Sequence, residues 1–203
     1  MLYTLRALQT VALCMFLIGT ACAGHDAGMT WTAPQIARVN GPLAEPVGDE
    51  RTLADAWLDL HRQTLLWKCG GLTAEQLKLR AIEPSNLSLL GLVRHMAEVE
   101  RDWFRTRFAG VRVGYLYCSD DDLNAEFNVD TADAESDFAI YTREIEAARQ
   151  TTLGYSLDET FTDPQRNTEM SLRFVYFVMI QEYARHNGHA DLLRERIDGH
   201  TGH

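Results

Sequence analysis

Glu182, His186 and His189 stand four and three residues apart in the run Gln181-Glu182-Tyr183-Ala184-Arg185-His186-Asn187-Gly188-His189-Ala190-Asp191. On a helix, positions four apart share a face, so Glu182 and His186 can grip one cation together. His189 lies about 60° away around the axis at about 100° per residue. A carboxylate oxygen and an imidazole nitrogen suit zinc, nickel, manganese or ferrous iron. Such a pair needs a third ligand. His95, between the apolar positions Leu92 and Val99, is the best candidate. His95, Glu182 and His186 would make a two-histidine, one-carboxylate set with open positions, where water or a substrate thiolate can bind. The same spacing also describes a surface ion pair beside a core histidine bonded to backbone, and spacing alone leaves both readings open. Gly188, inside the helical run, costs about 1 kcal/mol relative to Ala and is expected to mark the close approach of another backbone or a ligand. Arg94 and Arg185 flank the candidate ligands. Either could meet an anionic substrate or a surface carboxylate.

Other reactive residue types carry less. His61 falls on the Trp57, Leu60 and Thr64 side of its helix and could line the same cavity. His200 and His203 lie in the tail beyond Gly199. Asp120, Asp121 and Asp122 lack the spacing of a calcium loop and read as a solvated loop. Cys69 and Cys118 have no sequence neighbour that would activate a thiolate.

These residues must be positioned by helices. Apolar residues recur at three and four from Thr52 to Trp67, ending at Gly70-Gly71. Thr73 and Gln76 have the spacing of a capping box. A second long helix begins after Ser85 to Ser88, carries His95 and stops at Gly110. Residues 111–131 have no helical period and read as a long acidic loop, with an extended piece at Val111 to Tyr117. Loops of that length in a small domain are often functional. A third helix is expected from near Ala132 to about Tyr155, then a loop with Asp163-Pro164. The fourth runs from about Ser171 to Ile197, closed by Gly199. Four long amphipathic helices with almost no strand patterning predict an all-α four-helix bundle.

The chain has 203 residues, 46% hydrophobic and 24% charged, which is the size and composition of one globular domain. Its 19 Lys and Arg against 29 Asp and Glu give a net charge of -10, which argues against a nucleic-acid binder. Four cysteines are too sparse for a disulfide scaffold. Residues 1–28 contain an apolar run from Ala7 to Ala23 and the small-x-small site Ala21-Cys22-Ala23. They read either as a secretory or lipoprotein-type signal or as an extension upstream of a true start at Met29. Residues 30–50, with Pro34, Gly41, Pro42, Pro46 and Gly48, form an extended arm. The working domain is then 30–199, with 200–203 as a tail.

The stretches Leu89-Leu90-Gly91-Leu92-Val93-Arg94-His95-Met96-Ala97-Glu98-Val99-Glu100 and Tyr183-Ala184-Arg185-His186-Asn187-Gly188-His189-Ala190-Asp191-Leu192-Leu193-Arg194 resemble the second-helix and last-helix signatures of the DinB-like superfamily. Trp67-Lys68-Cys69 and Met170-Ser171-Leu172-Arg173 fit its actinobacterial mini-circle-type branch. The resemblance covers roughly residues 30 to 199 and implies an up-down-down-up four-helix bundle with a divalent metal at one end. Many relatives use three histidines. Glu182 replaces one of them here, as in the His, Glu, His arrangement of mycothiol-dependent maleylpyruvate isomerase. By position the implied ligands are His95, Glu182 and His186, and His189 and Arg185 become candidates to orient substrate. The resemblance further implies a small-molecule substrate, mycothiol or a similar thiol as cofactor, a homodimer, a cytoplasmic location and no membrane contact for the mature domain. It favours the upstream-extension reading of residues 1–28; a genuine signal would instead make the protein secreted or lipid-anchored. The expected activity is a metal-dependent thiol transferase or isomerase. The alternative is a non-catalytic metal-binding stress protein.

Overall fold

The computed structural model describes residues 30–44 and 46–201. The signal-like segment and His203 lie outside the described residues. The regular elements of the described chain are helical apart from one two-stranded hairpin and an isolated bridge. Helix α1 spans Glu50–Cys69, α2 Ala74–Lys78, α3 Leu89–Glu100, α4 Ala134–Thr152 and α5 Leu172–Asp198. The ends sit where local chemistry satisfies the first free N–H groups. Asp49 caps α1 by accepting from the Thr52 amide, and Ser88 and Ser171 do the same for α3 and α5. The capping box read from Thr73 and Gln76 is present on α2. Gly199, at φ 81°, closes α5 in the left-handed conformation that glycine adopts without strain.

Helix α3 does not stop at Glu100. It widens into a π-helical segment, Arg101–Phe108, where the Ala109 amide donates to the Phe104 carbonyl five residues back at 3.1 Å. The second long helix therefore reaches the length expected, in two geometries.

Contacts between helices define their relative sense. From α1 to α5 they advance together: Arg173 on Glu50, Asn187 on His61, Lys68 on Asp191. From α3 to α4 they also advance together, with Arg94 on Asp137 and Arg101 on Glu144. From α3 to α5 they run in opposite order, His95 meeting His186 while Trp103 meets Phe174. The core between these helices includes Leu58, Leu65, Leu92, Met96, Phe104, Tyr141, Met179 and Tyr183, each 1% exposed or less.

At its centre four helices share one polar network. Arg62 of α1 holds Glu100 of α3 with two bonds of 2.7 Å. The Tyr183 hydroxyl of α5 donates to Glu100 at 2.7 Å, and the Tyr141 hydroxyl of α4 lies 2.9 Å from that of Tyr183. Tyr183 spends its one proton on Glu100, so Tyr141 must donate to Tyr183. Burial pushes both phenols up, which keeps them neutral donors.

Three regions differ from the sequence expectation. The loop after α4 contains an antiparallel hairpin, β1 (Thr160–Asp163) with β2 (Thr168–Ser171), Phe161 opposite Met170. Arg107 reaches the fully buried Asp163 at 3.1 Å and so satisfies its charge. The expected extended piece at Val111 to Tyr117 is not a strand; the amides of residues 116–118 go to a carboxylate instead. A 3-10 turn, Ala125–Phe127, sits inside that loop. The N-terminal arm is extended as expected where Thr32 pairs with Thr73 and Ala33 exchanges backbone bonds with Gly71 and Leu72, but Gly41–Leu43 forms a 3-10 turn.

Candidate metal centre

Helix α5 presents Glu182 and His186 one turn apart, and α3 brings His95 against them. One nitrogen from each histidine and one carboxylate oxygen all lie within 4.8 Å of one another. His186 Nε2 is 3.5 Å from a Glu182 oxygen, and the His95 and His186 rings are 4.6 Å apart. The three side chains retain 20%, 23% and 11% exposure for His95, Glu182 and His186, so the cluster is enclosed yet reachable from solvent. Of the two readings left open by spacing, the surface pair with a separate core histidine does not describe this arrangement.

Each imidazole is held by its Nδ1. His95 Nδ1 lies 3.1 Å from a Glu126 oxygen. His186 Nδ1 lies 3.4 Å from His189 Nδ1. His95 Nε2 is buried and has no hydrogen-bond partner among the described residues. A buried nitrogen left open costs free energy unless a ligand meets it. Burial, then the charges of His95, His189 and Arg185, pushes His186 down to about 4, so its ring is neutral near pH 7, the form that coordinates a metal. Two imidazoles, in the neutral form that coordinates, and a carboxylate are a donor set for a borderline divalent cation.

Of the other expected residues, His189 joins the cluster through His186, its ring 5.2 Å from that of His186. Arg185 is exposed, contributing positive charge next to His186. Arg94 is committed elsewhere: its guanidinium stacks 4.1 Å from the Tyr117 ring, lies 3.5 Å from Asp137 and donates to the Ala125 carbonyl. His61 is outside the cluster and takes the Asn187 amide on its own carbonyl at 3.0 Å. Asp120, Asp121 and Asp122 are exposed, Asp122 shaping the turn through the Asn124 amide. Burial pushes both Cys69 and Cys118 up to about 12, consistent with neither serving as a thiolate.

Gly188 does not mark a close backbone approach. A side chain there would meet nothing within 4 Å among the described residues, because the residue faces outward. The close approach is at Gly91, where a Cβ would come within 3.1 Å of the Phe127 ring. Phe127 stacks on His95 at 5.4 Å, and its neighbour Glu126 reaches the His95 nitrogen. Sequence reasoning missed Glu126. Its only signals were the length of the 111–131 loop and the glycine in the first turn of α3.

The family model described as mycothiol-S-transferase matches residues 53–199. No curated protein and no solved structure matches the chain. The matched span takes in α1 through α5 from Leu53, with His95, Glu182 and His186 inside it. The chain belongs to the mycothiol-S-transferase family, within the DinB-like superfamily.

Proposed function

We infer that this protein is a divalent-metal-dependent enzyme that uses a low-molecular-weight thiol of the mycothiol kind to attack an electrophilic small molecule, as an S-transferase or an isomerase. The observation that carries the reading is the His95, Glu182, His186 cluster with its buried, open Nε2. The family match supports the thiol. Those three residues would hold zinc, nickel, manganese or ferrous iron. A metal so held supplies a lowered thiol pKa, hence a thiolate near neutral pH. His189, half-buried beside His186 and 3.4 Å from its Nδ1, would help to hold that ring and orient substrate. Arg185 offers its exposed positive charge to an anionic group of the substrate. The same reading takes the four long helices as an up-down-down-up bundle. It is supported by the shared sense of α1 with α5 and of α3 with α4, and the opposite sense of α3 with α5. It places the protein in the cytoplasm, on the resemblance of its motifs; no described helix is long and apolar enough to cross a membrane.

A non-catalytic metal-binding role is the second reading. It is favoured by one observation: a hollow of about 630 Å³ is lined by Asp49 to Arg51, Leu153 to Leu157 and Arg173, and by none of the triad. Metal analysis of the purified protein, then thermal shift with mycothiol, bacillithiol and glutathione, separates the two. About one equivalent of metal and a mycothiol-dependent rise in Tm are expected for the enzyme. Metal without any thiol response selects the second reading. If no divalent ion is bound and none adds stoichiometrically, both fail.

A further inference from the structure

We propose that Glu126 is a positioning residue that sets the tautomer and orientation of His95, and that Cys118 holds Glu126 in turn. The inference rests on the metal reading for its functional meaning, but the geometry stands on its own.

The chain of contacts is continuous. Glu126, only 4% exposed, receives His95 Nδ1 on one carboxylate oxygen at 3.1 Å and the Cys118 thiol on the other at 2.8 Å. A carboxylate accepts and cannot donate. In the neutral ring the proton between Glu126 and His95 therefore sits on Nδ1, and Nε2 carries the lone pair. That nitrogen is the one with no partner among the described residues. Carboxylate–histidine pairs of this kind orient metal-binding imidazoles and raise their basicity.

The rest of the loop secures the carboxylate. A single oxygen of Glu98 accepts the amides of Leu116, Tyr117 and Cys118 at 2.7, 2.6 and 3.1 Å, which fixes where the Cys118 side chain starts. Arg94 ties down the far side by stacking on Tyr117 and bonding to the Ala125 carbonyl. Glu98, Arg94 and His95 belong to α3, so the helix that carries the ligand also anchors the loop that aims it. The role of the thiol is to donate: with the Cys118 proton held firmly, both Glu126 oxygens have a donor and the carboxylate cannot turn away from His95.

Long-range proton–nitrogen NMR of the metal-free protein reads the His95 tautomer directly. The Nδ1–H form is expected in the wild type and a mixture in Glu126→Leu. Competition with a chromophoric chelator for Zn²⁺ alone should show Glu126→Leu binding about 10–100-fold more weakly at unchanged stoichiometry. Cys118→Ala should lose a few-fold in affinity, and Cys118→Ser, which keeps a donor, should recover most of it. If Glu126→Leu does not fold, Glu126→Gln, which keeps an acceptor but no charge, is expected to lose about 10-fold. A wild-type His95 protonated on Nε2, or Zn²⁺ affinity unchanged in the Glu126 variant that folds, overturns the proposal. If the wild type binds no Zn²⁺ at all, the metal reading falls, and the tautomer in the two proteins still decides whether Glu126 positions His95.

Discussion

Neighbouring residues on α5 enter two regions built on opposite terms. Tyr183 points into the network with Arg62, Glu100 and Tyr141, where each charge is paired and the phenols form a relay of donors. Glu182 and His186, on either side of it in sequence, point at His95 in a cluster that keeps a buried nitrogen open. Helix α3 makes the same division, with Glu100 in the network and His95 in the cluster. Both regions carry polar groups between apolar helix faces. The network closes on itself and so joins four helices. The cluster is held by the chain on its Nδ1 side, and His95 Nε2 has no partner among the described residues.

The contrast can be broken by mutation. Glu100→Ala leaves the Arg62 guanidinium, 5% exposed, with only the half-exposed Asp59 at 3.0 Å as a charge partner, and should cost about 3 kcal/mol, a large part of a typical domain's stability. Urea denaturation at pH 7 measures it; a loss below about 1 kcal/mol would mean the network is not structural.

Glu144 on α4 sharpens the comparison, where Arg101 and Arg105 approach it at 2.7 and 2.9 Å. Burial alone would raise its carboxyl, but the two guanidiniums outweigh that and hold it below the ordinary 4.5. Its folded pKa is thus below its unfolded one, so its contribution is complete above about pH 4.5 and disappears as pH falls through the lower folded value. Glu144→Gln should cost about 1–3 kcal/mol at pH 7 and flatten the acid limb of stability against pH. An unchanged acid limb would remove Glu144 from that role.

Tyr183→Phe takes one hydroxyl from the relay and is expected to cost about 1–2 kcal/mol by the same denaturation measurement. His186→Ala has the smallest expected effect on the metal-free fold, about 1 kcal/mol or less, because the ring satisfies no structural charge. It should nevertheless abolish stoichiometric metal binding. If His186→Ala unfolds the metal-free protein, the division between network and cluster is wrong.

The triad was legible in the sequence because two of its members share a helix at a spacing of four, and the third sits amid an apolar stripe that can only face inward. The helix ends were legible for a similar reason: Asp49, Thr73, Ser88, Ser171 and Gly199 act on amides or carbonyls within a few residues of themselves. Glu126 was not. It meets His95 across 31 residues of chain, through a loop with no period, seated by a glycine whose importance emerges only when Phe127 is placed against it. The hairpin escaped because its strands are four residues each and largely polar, held less by an apolar face than by Arg107 reaching Asp163. Gly188 misled because a glycine that meets nothing looks, in sequence, like one that something must approach.

The wide turn at Arg101–Phe108 gives the family member a freedom in chain length. An α-helix that swallows one surplus residue can also shed it. A single deletion between Arg101 and Phe108 would tighten the segment and rotate the chain beyond it by about 100° around the axis. Arg107 would swing off Asp163, and the loop that carries Cys118 and Glu126 to His95 would have to be re-seated, although His95 itself lies upstream of the wide turn. A change of length there would therefore reach both the hairpin and the loop that meets His95, so the wide turn ties the periphery of this protein to its candidate site.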